Sequence, residues 1–225
     1  MTVVITGASR GIGKELINFF LENKVKVIAI TSNVEKIKPQ ANLQVIATNF
    51  NTMDAVFATA EKIKGLTNEI SILINNAATL ESKPFTEISV NDFENTYRIN
   101  VEAPFFLTQQ LVAIMGMTKT AHIVNISSIG GFIGSAKFAG LSAYSSSKGA
   151  LSVLTECLAE ELKDKNIRAN CLCLGAVNTE MLKQAFPGYE APLNPPQMAQ
   201  YIGNFALTGH TYFNGKVLPV SVSTP

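Results

Sequence analysis

The chain has 225 residues, 47% of them hydrophobic, and a formal net charge of +1 at pH 7. That length suits one α/β domain, with apolar material for a core that removes roughly 70% of the extended chain's surface from water. A charge so small, with no basic run and no acidic tail, argues against nucleic acid as a partner, and the two histidines and three cysteines form no zinc-ligand pattern.

Mean hydropathy is high at +0.20, yet no apolar run reaches the roughly 18 residues a membrane span needs. Parallel strands buried on both faces account for the excess, because they read as continuous apolar segments. Such segments recur at 2–6, 25–30, 43–47, 70–75, 121–127, 167–173 and 216–221. Between the first two, Ile12, Leu16, Phe19 and Phe20 repeat at helical spacing, and Asn23 is the expected stop. Helices are predicted over 53–64, over about 90–116 despite Pro104, and over about 143–164, where Lys163 and Lys165 suit a helix C-terminus. The stretch 179–197 carries Pro187, Gly188, Pro192, Pro195 and Pro196 and reads as a loop, expected to be a substrate lid. With no repeat and no linker, residues 1–225 are expected to form a single domain: a doubly wound parallel sheet of about seven strands with helices on both faces. Because the first strand starts at Thr2, no signal peptide is expected, and the cytoplasm is the expected location. Cys171 and Cys173 read as core thiols of a reducing compartment.

The first strand runs into Gly7-Ala8-Ser9-Arg10-Gly11-Ile12-Gly13, and a helix follows. Glycines there let the chain turn sharply and let a pyrophosphate approach the backbone, while amides at the helix start face the anion. A nucleoside-triphosphate P-loop is excluded: five residues, not four, separate Gly7 from Gly13-Lys14, and Glu15 stands where a hydroxyl should hold magnesium. The spacing also differs from the GxGxxG dinucleotide fingerprint.

Thr6-Gly7-x-x-x-Gly11-x-Gly13 instead resembles the glycine motif of the short-chain dehydrogenase/reductase family, of the type with a Tyr-x-x-x-Lys pair. Asn75-Asn76-Ala77-Ala78, Asn100, Ile126-Ser127-Ser128, Tyr144-Ser-Ser-Ser-Lys148, Leu174-Gly175-Ala176-Val177-Asn178-Thr179 and Asn214–Val220 resemble its further landmarks in order. The resemblance implies a Rossmann-fold oxidoreductase that interconverts a small carbonyl and an alcohol by hydride transfer with a nicotinamide cofactor. By the same resemblance Tyr144 is the general acid and base. Ser128, chosen over Ser127 by its distance from Gly131, bonds the substrate oxygen. Lys148 supports the tyrosine and holds the nicotinamide ribose, and Asn100 positions a water in the proton relay. The elementary chemistry agrees: residues four apart on a helix share a face, and a tyrosine whose pKa is near 10 needs roughly 4 kcal/mol of phenolate stabilisation to act as a base at pH 7.

The expected cofactor contacts begin with Gly7, Ser9, Arg10, Gly11, Ile12 and Gly13 in the glycine turn. Thr31, Ser32 and Asn33 follow at the end of the second strand, then Asn49 and Phe50, Asn76 and Ala77. Tyr144, Lys148, Gly175, Val177 and Thr179 complete the set toward the nicotinamide. NAD enzymes usually carry an acid at the end of the second strand; here Thr31-Ser32-Asn33 offers only hydrogen-bond donors. In the family a basic residue at the position of Arg10 accompanies NADP, so NADP(H) is expected over NAD(H). Homo-oligomerisation, as a dimer or tetramer through the helices near 90–116 and 143–164, is a further expectation from the family.

The sequence departs from the family at Ala78 and Leu174, in place of glycine and proline, and at Asn49, in place of an aspartate. The stretch between Ser128 and Tyr144 is longer than usual, and its Phe132, Ile133, Phe138 and Leu141 either line an apolar pocket or simply pack. The region after Thr179 looks short, suggesting an open site. A catalytically silent dinucleotide-binding redox sensor or scaffold is the alternative function.

Overall fold

The computed structural model describes residues 1–224. Seven parallel strands form one sheet in the order β3-β2-β1-β4-β5-β6-β7: β1 (Thr2–Thr6), β2 (Lys26–Thr31), β3 (Leu43–Ala47), β4 (Ile72–Asn75), β5 (Ala121–Ser128), β6 (Ile167–Leu174) and β7 (Val217–Val220). All seven fall where apolar runs predicted them. The chain fills one edge first through β1, β2 and β3, then returns to pair β4 with β1 from the other side. This reversal opens a crevice beyond the strand ends, between β1 and β4.

Helices cover both faces. Leu16, Ile17 and Phe20 of α1 (Gly11–Glu22) pack with Met198, Ile202 and Phe205 of α7 (Pro195–Thr208) over one face. Val56, Ala60 and Ile63 of α2 (Met53–Leu66) pack with Leu107 and Leu111 of α4 (Ala103–Leu111) over the other, where α5 (Ser142–Glu161) adds Ala159.

Two helical expectations are corrected. The helix expected over 90–116 is interrupted: α3 (Val90–Tyr97) passes into a π-helical turn, Arg98–Glu102, before α4 begins. Pro104 has no N–H to offer the carbonyl of residue 100, which removes one rung of the helical ladder beside the widened turn. The stretch 179–197 is not irregular throughout. It contains α6 (Glu180–Ala185), capped by the Thr179 hydroxyl accepting from the Leu182 amide at 3.2 Å. Pro195 starts α7, behind a reciprocal Asn194–Gln197 capping box. Prolines in a first helical turn cost nothing, because their missing N–H groups would have had no helical partner.

Candidate active site

The site begins where β1 leaves the sheet. Gly7 turns with φ +68°, and a Cβ there would lie 2.7 Å from the Cα of Ala77. A Cβ on Gly13 would lie 2.2 Å from the Gly7 carbonyl oxygen. These glycines therefore let the turn, the start of α1 and the end of β4 touch backbone to backbone. Thr6 and Asn76 lock the contact. The Thr6 hydroxyl accepts from the amides of Asn76 and Ala77 at 3.0 and 2.9 Å, and the Asn76 side-chain amide donates to the carbonyls of Thr6 and Gly7 at 3.0 and 3.1 Å. α1 itself has no side-chain cap and no acid in its first turn, whereas Thr52, Ser89, Thr179 and Asn194 cap α2, α3, α6 and α7. Its first amides are left for an anion. The turn opens onto a cleft of about 400 Å³ that continues to Ser128, Tyr144 and Lys148.

At the end of β5 consecutive hydroxyls face opposite ways, as strand geometry requires. Ser127 is buried and donates to the Lys148 carbonyl at 2.8 Å, which fixes α5 against the sheet. Ser128 is less buried, accepts from the Gly130 amide at 3.2 Å and lines the cleft. Tyr144 and Lys148 stand one turn apart near the start of α5, both buried, with the ammonium nitrogen 5.9 Å from the centre of the phenol ring. Lys148 Nζ donates to the Ile126 carbonyl at 2.8 Å. Burial pushes the Tyr144 phenol up to about 12, against a smaller downward pull from the Ser128 side chain. Burial likewise pushes Lys148 down to about 8. At pH 7 both carry their protons, so the pair presents a proton donor backed by a cation.

Of the expected contact residues, Gly7, Ser9, Arg10, Gly11, Ile12, Gly13, Thr31, Ser32, Asn49, Phe50, Asn76, Ala77, Ser128, Tyr144, Lys148, Gly175, Val177 and Thr179 all line this cleft. Asn33 and Asn100 are not part of the lining. Asn33 lies beyond the end of β2, exposed, with its amide donating to the Thr31 hydroxyl at 3.0 Å. Asn100 is fully buried in the π-helical turn. Its Oδ1 accepts from the Thr79 amide at 2.9 Å, and its Nδ2 donates to the Thr79 carbonyl at 3.0 Å and to the Ser147 hydroxyl at 2.9 Å. Both donors are engaged, so the side chain ties the segment after β4 to α5. Arg10 lies in the turn as expected, but its guanidinium pairs with Glu180 of α6 at 2.8 Å. Phe138 and Leu141 line the cleft; Phe132 does not, and Ile133 is 87% exposed. Leu80 also lines it and was not anticipated; so do Met181, Ala185 and Phe186, which fall in the expected lid 179–197 but on and at the end of α6 rather than on a loop. The signal for the last three was the Thr179 cap with Glu180 in the first turn, which marks a helix start.

Glycine turn, uncapped helix start, a strand end without carboxylate and a buried phenol–ammonium pair share one cleft. They fit a dinucleotide with its pyrophosphate at α1 and its far end at Tyr144, the arrangement of a dinucleotide-dependent oxidoreductase. Residues 1–190 match the short chain dehydrogenase family, and the chain belongs to it as an NAD(P)-dependent oxidoreductase. It is 27% identical to the 3-oxoacyl-[acyl-carrier-protein] reductase FabG of Aquifex aeolicus over 97% of this chain and 94% of that protein. Its fold superposes with a TM-score of 0.87 on a 4-hydroxyisoleucine dehydrogenase complexed with NADH, at 25% identity, covering 98% of this chain and 96% of the other. A Pseudomonas aeruginosa RhlG/NADP complex superposes with a TM-score of 0.86, at 25% identity, over 98% and 94% of the two chains. Among the described residues no helix is long and apolar enough to cross a membrane.

Proposed function

We propose that the protein is an NADP(H)-dependent carbonyl reductase and alcohol dehydrogenase in which Tyr144 is the general acid and base. The observation that carries this reading is the buried phenol–ammonium pair, 5.9 Å from ring centre to nitrogen, at the end of a cleft that begins at the glycine turn. The nicotinamide supplies or takes the hydride when bound. Gly7, Ser9, Arg10, Gly11, Ile12 and Gly13 hold the pyrophosphate, Thr31, Ser32, Asn49 and Phe50 the adenosine end, and Ala77, Gly175, Val177 and Thr179 the other. Ser128 donates to the substrate oxygen and fixes it beside Tyr144. In reduction Tyr144 Oη passes its proton to that oxygen, and the phenolate left behind is stabilised by the Lys148 ammonium; in oxidation Tyr144 takes the proton back. Asn100 acts as a positioning residue through Thr79 and Ser147. Positioned acid–base groups of this kind contribute about 10²–10⁴ in rate.

NADP(H) is favoured because the end of β2 offers hydroxyls and no carboxylate to a 2′-phosphate, and because Arg10 lies on the same cleft wall. A 2′-phosphate competes with Glu180 for that guanidinium. Parallel fluorescence titrations test the preference: NADPH binds more tightly than NADH, and the reverse order refutes it. The catalytic reading predicts turnover on a panel of ketones and aldehydes that Tyr144→Phe abolishes while NADPH still binds. A wild type as inactive as Tyr144→Phe on every carbonyl leaves a dinucleotide-binding sensor instead. Exposed Val90, Phe93, Phe105 and Val153 on α3, α4 and α5 support assembly into a homo-oligomer. Light scattering that finds only monomer at working concentration removes that part of the reading. The free thiols Cys157, Cys171 and Cys173 accord with a reducing, cytoplasmic setting.

A further inference from the structure

The cleft changes character along its length. Its glycine-turn end presents backbone, hydroxyl and amide groups and the Arg10–Glu180 pair beside Ile12, Ile30 and Phe50. Past Tyr144, Leu80, Phe138, Leu141, Met181, Ala185 and Phe186 form an apolar cluster of their own, separate from the two that pack against the sheet. Phe138, from the long segment after β5, and Phe186, at the end of α6, meet edge to face with ring centres 5.2 Å apart.

The charged residues of the cleft lining are Arg10, Lys148 and Glu180. Arg10 and Glu180 pair with each other, and Lys148 Nζ is held at the Ile126 carbonyl. Of the lysines nearest in sequence to the apolar end, Lys183 of α6 is exposed and is not part of the cleft lining, and the other two are engaged. Lys83 pairs with Glu81 and Asp92, and Lys137 donates to the carbonyls of Phe132 and Ser135. No charged side chain lines this end to balance a buried carboxylate or phosphate, and an unpaired charge taken out of water is strongly disfavoured.

We propose that the substrate is a ketone or secondary alcohol bearing an uncharged apolar substituent, an alkyl chain of several carbons or an aromatic ring. That substituent seats against Phe138 and Phe186, and the two residues determine specificity. The inference rests on the reductase reading, because Tyr144 fixes where the carbonyl lies.

The test compares methyl ketones from 2-butanone to 2-octanone with oxo-acids of matched length, such as 7-oxooctanoate, at saturating NADPH. In the wild type kcat/KM rises by up to about fourfold per methylene until the pocket is filled, and the terminal carboxylate lowers it by at least about tenfold. Phe138→Ala and Phe186→Ala flatten the chain-length series and leave the Kd of NADPH unchanged. A second readout needs no turnover: calorimetric binding of the same ketones and oxo-acids to the protein with NADP+, a combination that cannot react. The same order of affinities is expected there. If no ketone is reduced but this binding order holds, the reductase reading fails and the apolar site stands. If ketones are reduced but the series is flat, or 7-oxooctanoate matches 2-octanone, the substrate class is wrong and the reductase reading stands.

Discussion

Lys148→Met removes the ammonium at the centre of the site and keeps most of the buried stem. Lys148 Nζ lies 5.9 Å from the centre of the Tyr144 ring. With the phenolate charge placed at the ring centre and an effective dielectric of about 20, the two unit charges attract by about 3 kcal/mol, or about a hundredfold in rate. The attraction exists only once the phenol has given up its proton, so the loss appears in kcat as well as in kcat/KM. Burial holds Lys148 down at about 8, and the charged form is the one present below that value. The wild type therefore loses reductive kcat/KM as pH rises through about 8, and the methionine variant lacks that alkaline limb. The assay is steady-state consumption of NADPH from about pH 6 to about pH 9.5, with NADPH affinity measured by fluorescence to separate chemistry from binding. A variant within about threefold of wild type that keeps the alkaline limb refutes the assignment of the stabilising charge to Lys148.

Three further outcomes follow from particular contacts. Gly13→Ala places a Cβ 2.2 Å from the Gly7 carbonyl oxygen; it destabilises the fold by about 1–3 kcal/mol and weakens NADPH binding, so an unchanged denaturation midpoint and Kd speak against the packed turn. Glu180→Gln releases Arg10 from an exposed ion pair and tightens NADPH by at most about fivefold without affecting NADH; an equal change for both cofactors removes Arg10 from the 2′-phosphate site. Buried His122 is pushed down from 6.5 to about 4, chiefly by burial, so the unfolded chain takes up a proton that the folded one refuses. Stability is then full above about pH 6.5 and falls toward pH 4, by up to about 3 kcal/mol, and urea denaturation of His122→Asn across that range shows a shallower decline unless the histidine is protonated in the fold.

The strands and the glycine turn were legible because their signals are local. Buried parallel strands read as apolar runs, and each motif stands at a strand end. The helical half was less so. Asn194-Pro195-Pro196-Gln197 reads as loop by its proline content, although Asn before Pro and Gln three residues on is a helix start. Pro104 marked the interruption of the helix expected over 90–116, but only the chain path shows the π-helical turn. What stayed hidden were partnerships between distant residues. Only the fold shows that the Asn100 amide engages Thr79 and Ser147. The sequence offers Arg10 to a phosphate, and the fold pairs it with a glutamate 170 residues away. On paper only the distance from Gly131 separates Ser128 from Ser127; in the fold the Lys148 carbonyl takes the Ser127 hydroxyl.

The proposed proton transfer depends on how the protonation of one phenol responds to its surroundings. Titration of Tyr144 by carbon NMR on tyrosine-labelled protein, assigned by difference with Tyr144→Phe, reads this directly. In the free protein the phenol ionises near 12; with NADP+ bound its pKa falls by about 1–3 pH units as the oxidised nicotinamide joins Lys148 beside it. A phenol that ionises at the same pH with and without NADP+ contradicts the account.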